Sequence, residues 1–124
     1  SNGVVAVSRR LFEEVGGFDQ RFADWDGEDR AFMYSCLVMN EQPIIRVPGP
    51  AVHLWHPPSR EAARPTRQVR ANMALAMRFK AAAGITGRDG PLGRLPHAVR
   101  DRGALLAILA EPGAPLHARL GSAS

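Results

Sequence analysis

A single cysteine, Cys36, stands among 124 residues. An intramolecular disulfide and a multi-cysteine metal knuckle are therefore both excluded. Long apolar runs are missing as well. The longest, Ala104 to Ala110, is far shorter than the ~20 residues that a bilayer-spanning helix needs. The chain opens on Ser1-Asn2-Gly3 with neither an initiator Met nor a basic-then-apolar leader. That opening predicts an excised segment and carries no mark of secretion. Aromatics are few, at 6%, and Lys80 is the one lysine beside many arginines. A GC-rich coding background explains that bias as readily as phosphate recognition does.

What is present is ordinary for a folded chain: 45% apolar and 23% charged residues, which argues against disorder. The net charge of +4 hides an asymmetry. Ser1 to His56 holds five Arg against eight acidic residues, whereas Pro57 to Ser124 holds eleven basic residues against four acidic ones. An acidic half followed by a basic one suggests two jobs, or one catalytic region plus a basic tail that meets something anionic.

Local signals place the elements. Val4-Val5-Ala6-Val7 reads as a buried strand. Ser8 is placed to cap a helix over Arg9 to Val15, with Leu11, Phe12 and Val15 on one side and Gly16-Gly17 ending it. A second helix is predicted from Glu28 to about Met39, facing the core with Phe32, Cys36, Leu37 and Met39. Residues Ile44 to Val47 and Ala51 to Trp55 read as strands around the turn Pro48-Gly49-Pro50. Thr66 to Ala83 predicts a helix with Val69, Met73, Ala76 and Met77 on its inner stripe. A last helix covers about Asp101 to Ala110, and Pro112 to Ser124 reads as a frayed end. Strands flanked by helices make the expected class α/β.

Three constellations could carry chemistry. In Trp25-Asp26-Gly27-Glu28-Asp29, three acids cluster around a glycine at a loop-to-helix junction. A carboxylate there can act as general base toward a hydroxyl, and an indole suits the apolar face of a sugar ring. The bland alternative is an acidic cap that serves the helix dipole. In His53-Leu54-Trp55-His56, two imidazoles three apart can share a divalent ion such as Mn²⁺ if the strand breaks between them. Otherwise they flank a packed tryptophan. Arg60, Arg64, Arg67, Arg70, Arg78 and Lys80 form a basic stretch. It reads first as a solvated helix face, and it leaves room for peripheral contact with an anionic membrane. Phe79 is its one aromatic, so no nucleic-acid partner is expected.

In order, these pieces resemble part of a known family. Val4 to Arg10 followed by Leu11 to Asp19, a strand leading to a short helix and a Gly-Gly-Phe-Asp turn, and Trp25-Asp26-Gly27-Glu28-Asp29 are similar to segments of GT-A fold glycosyltransferases. The second resembles the W-G-G-E-D signature of the galactosyltransferase and polypeptide N-acetylgalactosaminyltransferase C-terminal region, shared with bacterial family-2-type enzymes. His53 to His56 resembles the late metal-binding histidine of that group. The resemblance covers about Ser1 to Pro58.

It implies a partial GT-A fold with short strands flanked by helices. It also implies transfer of a sugar, with inversion, from a nucleotide-sugar to a hydroxyl of a glycan or other acceptor, as in polysaccharide biosynthesis. Asp29 would be the general base, Glu28 its helper, and Trp25, Asp26 and Gly27 the acceptor-binding residues. His53 or His56 would hold a divalent metal, Mn²⁺ or Mg²⁺. Asp26 stands where the family's second glycine is usual. A nucleotide-binding half is missing, so the chain alone is expected to be inactive, and a cytoplasmic location is expected. Two rivals come from other classes. One is a small basic module binding nucleic acid or anionic membrane, and the other is a metal hydrolase using His53, His56 and an acid.

Overall fold

The computed structural model describes residues 4–23, 27–40, 45, 47–57, 66–85 and 100–114. Four helices occur in that part: α1 (Arg9–Val15), α2 (Glu28–Met39), α3 (Arg67–Ala82) and α4 (Arg102–Leu109). The described residues contain no strand, so the expected α/β class and partial GT-A fold are corrected to an all-helical arrangement. The physical reason is pairing. A strand is stable only when a neighbour takes up its backbone N–H and C=O groups. Residues 4–8, 45 and 47–57 are non-helical and join no ladder within the described part. The apolar side chains of the later stretch face outward: Val47, Val52, Leu54 and Trp55 are all more than 80% exposed. Ile44 and Arg46 lie outside the described residues.

Three of the four helices begin where a side chain supplies an acceptor for a free N–H group. The Ser8 hydroxyl accepts from Leu11 N–H at 3.1 Å, Thr66 from Val69 N–H at 3.2 Å, and Asp101 from Ala104 N–H at 2.9 Å. Helix α2 has no side-chain cap; Gly27 precedes it at φ 112°, and Glu28 and Asp29 fill its first turn. A β-carbon at Gly27 would lie 2.8 Å from the Phe22 ring, so this position demands glycine on both conformational and packing grounds.

Helix α2 is buried on every side from Ala31 to Val38. It packs against α1, α3 and α4. Its core cluster joins Tyr34, Leu37 and Val38 to Phe79 and Ala82 of α3 and to Leu105 and Ile108 of α4. Val15, Phe32 and Cys36 form a second cluster toward α1. Burial pushes the Cys36 thiol up to about 11, which keeps it protonated and consistent with a packing role.

The inner face of α3 differs from the predicted stripe. Met73 and Met77 are exposed, whereas Asn72, Ala76, Phe79 and Ala82 are buried. The polar Asn72 is admitted because its amide donates to the Ala23 carbonyl at 2.7 Å and accepts from Gln68 at 2.9 Å. Leu106 of α4 is likewise exposed. Ala114 is 3% exposed and donates its N–H to the Glu111 carbonyl, so the end is not frayed at that point. The remainder of that predicted tail, 115–124, is outside the described residues. Among the described residues, no helix is long and apolar enough to cross a membrane.

An ion ladder fastens the ends of the fold together. The Asp19 carboxylate, its side chain only 3% exposed, accepts from Arg21 Nε at 3.0 Å and Nη2 at 2.6 Å. Arg21 also donates to Glu111 at 2.5 Å and to the Ile108 carbonyl at 3.1 Å. Arg78 of α3 closes the ladder on Glu111. The Arg78 and Arg21 guanidiniums hold the Glu111 carboxyl down to about 2 from an ordinary 4.5. A depressed carboxyl adds stability above its unfolded pKa and loses it as pH falls through the folded one. The stability advantage of the wild type over Glu111→Gln should thus be full at pH 7. It should shrink below about pH 4.5 and vanish near pH 2, as read by urea titrations across that window. A gap that stays constant through the window would contradict this account.

Candidate functional site

The turn after α1 builds the site. Gly16 and Gly17 take left-handed conformations, at φ 83° and 77°, and return their N–H groups to Glu13 and Phe12 carbonyls. This is the helix exit that glycine favours. A β-carbon on Gly17 would stand 3.0 Å from the Phe12 ring, so the chain can double back here only without a side chain. The turn lays Phe18 on Phe32 of α2, with ring centroids 4.7 Å apart and planes 27° from parallel. Phe12 meets Phe18 edge-on at 6.4 Å and Phe32 at 5.8 Å.

These rings, with Val5, Val7 and Asp29, line a cavity of about 290 Å³. Among the described residues, Asp29 is its one ionisable lining group. It is half-buried in the first turn of α2, where the helix dipole favours negative charge. Its Oδ1 accepts from Arg30 N–H at 2.7 Å. A carboxylate at the mouth of an apolar, ring-lined hollow can orient a hydroxyl and accept its proton, while the rings take the apolar face of the same molecule.

The other predicted residues fall differently. Glu28 shares the first turn of α2 but is exposed and does not line the cavity. Gly27 is buried as the residue before the helix, against Phe22. Trp25 and Asp26 lie outside the described residues. His53 and His56 come together, their Nε2 atoms 3.2 Å apart and both side chains exposed. Neither lines the Asp29 cavity. Among the described residues, the cavity lining thus joins Asp29 to no imidazole.

The histidine pair partly fits a metal. His56 Nδ1 lies 3.0 Å from the Pro57 carbonyl, which can only accept, so the neutral ring donates there from Nδ1 and has its lone pair on Nε2. Two nitrogens 3.2 Å apart match the span of adjacent ligands at roughly 2.1 Å from one ion. Among the described residues, no group of three or more His, Cys, Asp or Glu side chains gathers to hold a metal.

Sequence reasoning missed two parts of this site. Phe12 and Phe32 read as plain core positions, and Phe18 was not singled out as a wall. The signal for Phe18 was its place directly after Gly16-Gly17. Comparison with protein-family models, curated proteins and solved structures finds no match to this chain.

Proposed function

We propose that this chain is the acceptor-side part of a glycosyltransferase, with Asp29 as general base. The observation that supports it best is the placement of the Asp29 carboxylate on a cavity otherwise walled by Phe12, Phe18, Phe32, Val5 and Val7. In this reading the rings stack on the apolar face of an acceptor sugar. Asp29 accepts the proton of the acceptor hydroxyl as its oxygen attacks the anomeric carbon of a nucleotide-sugar. The bond from that carbon to the diphosphate breaks, and its electron pair leaves with the nucleoside diphosphate. Attack opposite the leaving group inverts the anomeric centre. A divalent ion, with His53 and His56 offering two ligands, would supply charge neutralisation at the diphosphate.

The test uses the complete gene product, a panel of nucleotide-sugars and hydroxyl acceptors, and release of nucleoside diphosphate as readout. Asp29→Asn should lower turnover by about a hundredfold or more, the scale of a lost general base. Its half-exposed position should leave the melting temperature near that of the parent. Undiminished turnover in the variant would remove Asp29 from this role. The basic-module reading predicts salt-sensitive retention on heparin instead.

A further inference from the structure

We infer that the turn closing α4, residues 108–113, is a latch that holds the Phe18 wall of the Asp29 cavity in place through Arg21. The inference rests on the reading of that cavity as a binding site. Its physical links are each present. Phe18 stacks on Phe32 and meets Phe12 edge-on, yet is 51% exposed, so packing restrains it only in part. The residue that follows it, Asp19, is fixed far more firmly: its carboxylate is buried and accepts from both the backbone and the guanidinium of Arg21. Phe22 N–H closes on the Asp19 carbonyl at 3.4 Å, which shapes the same short loop.

Arg21 in turn depends on the far end of the chain. Its guanidinium reaches the Glu111 carboxylate and the Ile108 carbonyl, 90 and 87 residues away. Its aliphatic stem passes so close to Gly113 that a β-carbon there would sit 3.1 Å from Arg21 Cγ. A carbonyl, a carboxylate and a glycine notch thus form one cradle for one arginine. Arg78 braces Glu111 from α3. Glu111 is not among the described lining residues, so it acts as a positioning residue, through Arg21 and Asp19.

The test replaces the five phenylalanines with a fluorinated analogue and follows their ¹⁹F resonances, assigning Phe18 by its disappearance in Phe18→Leu. Glu111→Ala should shift or broaden the Phe18 resonance and leave the resonance of the buried Phe79 unmoved, which reports an intact core. In the same samples, the Kd for p-nitrophenyl glycosides should rise about three- to tenfold, as expected when a preorganised wall becomes mobile. An unchanged Phe18 resonance in Glu111→Ala overturns the latch. A moved Phe18 resonance in a protein that binds none of these glycosides upholds the latch and overturns the sugar reading instead.

Discussion

Arg21→Met should lower the unfolding free energy by about 3–5 kcal/mol, the cost typical of removing one partner from a buried ion pair. The loss comes less from the missing attraction than from what stays behind. The Asp19 side chain is 3% exposed, and in the wild type Arg21 supplies three side-chain hydrogen bonds to it. Without that cation a buried carboxylate keeps only the Arg21 backbone N–H among its described bonds. The Ile108 carbonyl loses its guanidinium donor at the same time. Adding Asp19→Asn to Arg21→Met should recover part of the loss, because the neutral amide needs no counter-charge. Denaturant titrations of the three variants decide the matter. A loss below about 1 kcal/mol would class the pair with ordinary surface bridges.

Phe79→Ala should be as damaging for a different reason. The ring is 1% exposed and sits where α3 meets both α2 and α4, with Phe22 at 6.4 Å. Truncating such a ring removes apolar burial and leaves a void, a combined cost of about 3–5 kcal/mol. Small domains have only ~5–15 kcal/mol in total. Helical circular dichroism on heating should show a melting point lowered by well over 10 °C, at roughly 4–8 °C per kcal/mol. A melting point within about 2 °C of the parent would mean that the three helices do not share one core there.

The sequence made the helices legible wherever the deciding chemistry is local. Ser8 and Gly16-Gly17 bracket α1, and the acidic pair Glu28-Asp29 opens α2, each where it was expected. The inner face of α3 was legible only in part. Ala76 is buried as expected, but Met73 and Met77 are exposed, and Asn72 and Phe79 are turned inward instead. Asn72 is satisfied by the Ala23 carbonyl, a partner 49 residues away that helical periodicity cannot supply. The strand readings at Val4 to Val7 and Ala51 to Trp55 rested on composition. Composition says only that a segment suits a sheet, while the ladder that stabilises one is a property of its neighbours.

The site divides in the same way. The acids around Gly27 gave a local signal at a helix start, and the family resemblance singled out Asp29 among them. The grouping of Phe12, Phe18 and Phe32 around it depends on how the Gly16-Gly17 turn folds α1 back onto α2. The ladder from Asp19 to Glu111 carries no local signal at all, since its members are scattered across the chain.

The enclosure of α2 bears on how steadily Asp29 is presented. Eight consecutive residues of that helix, Ala31 to Val38, are shielded by the other three. Segments so enclosed open only when the whole domain does, whereas loops breathe freely. Asp29 stands two residues ahead of that stretch, on the same rod. Its carboxylate therefore has a near-immobile footing, while the facing Phe18 wall rides on a loop and owes its steadiness to Arg21: one jaw of the vice is bolted down and the other is braced.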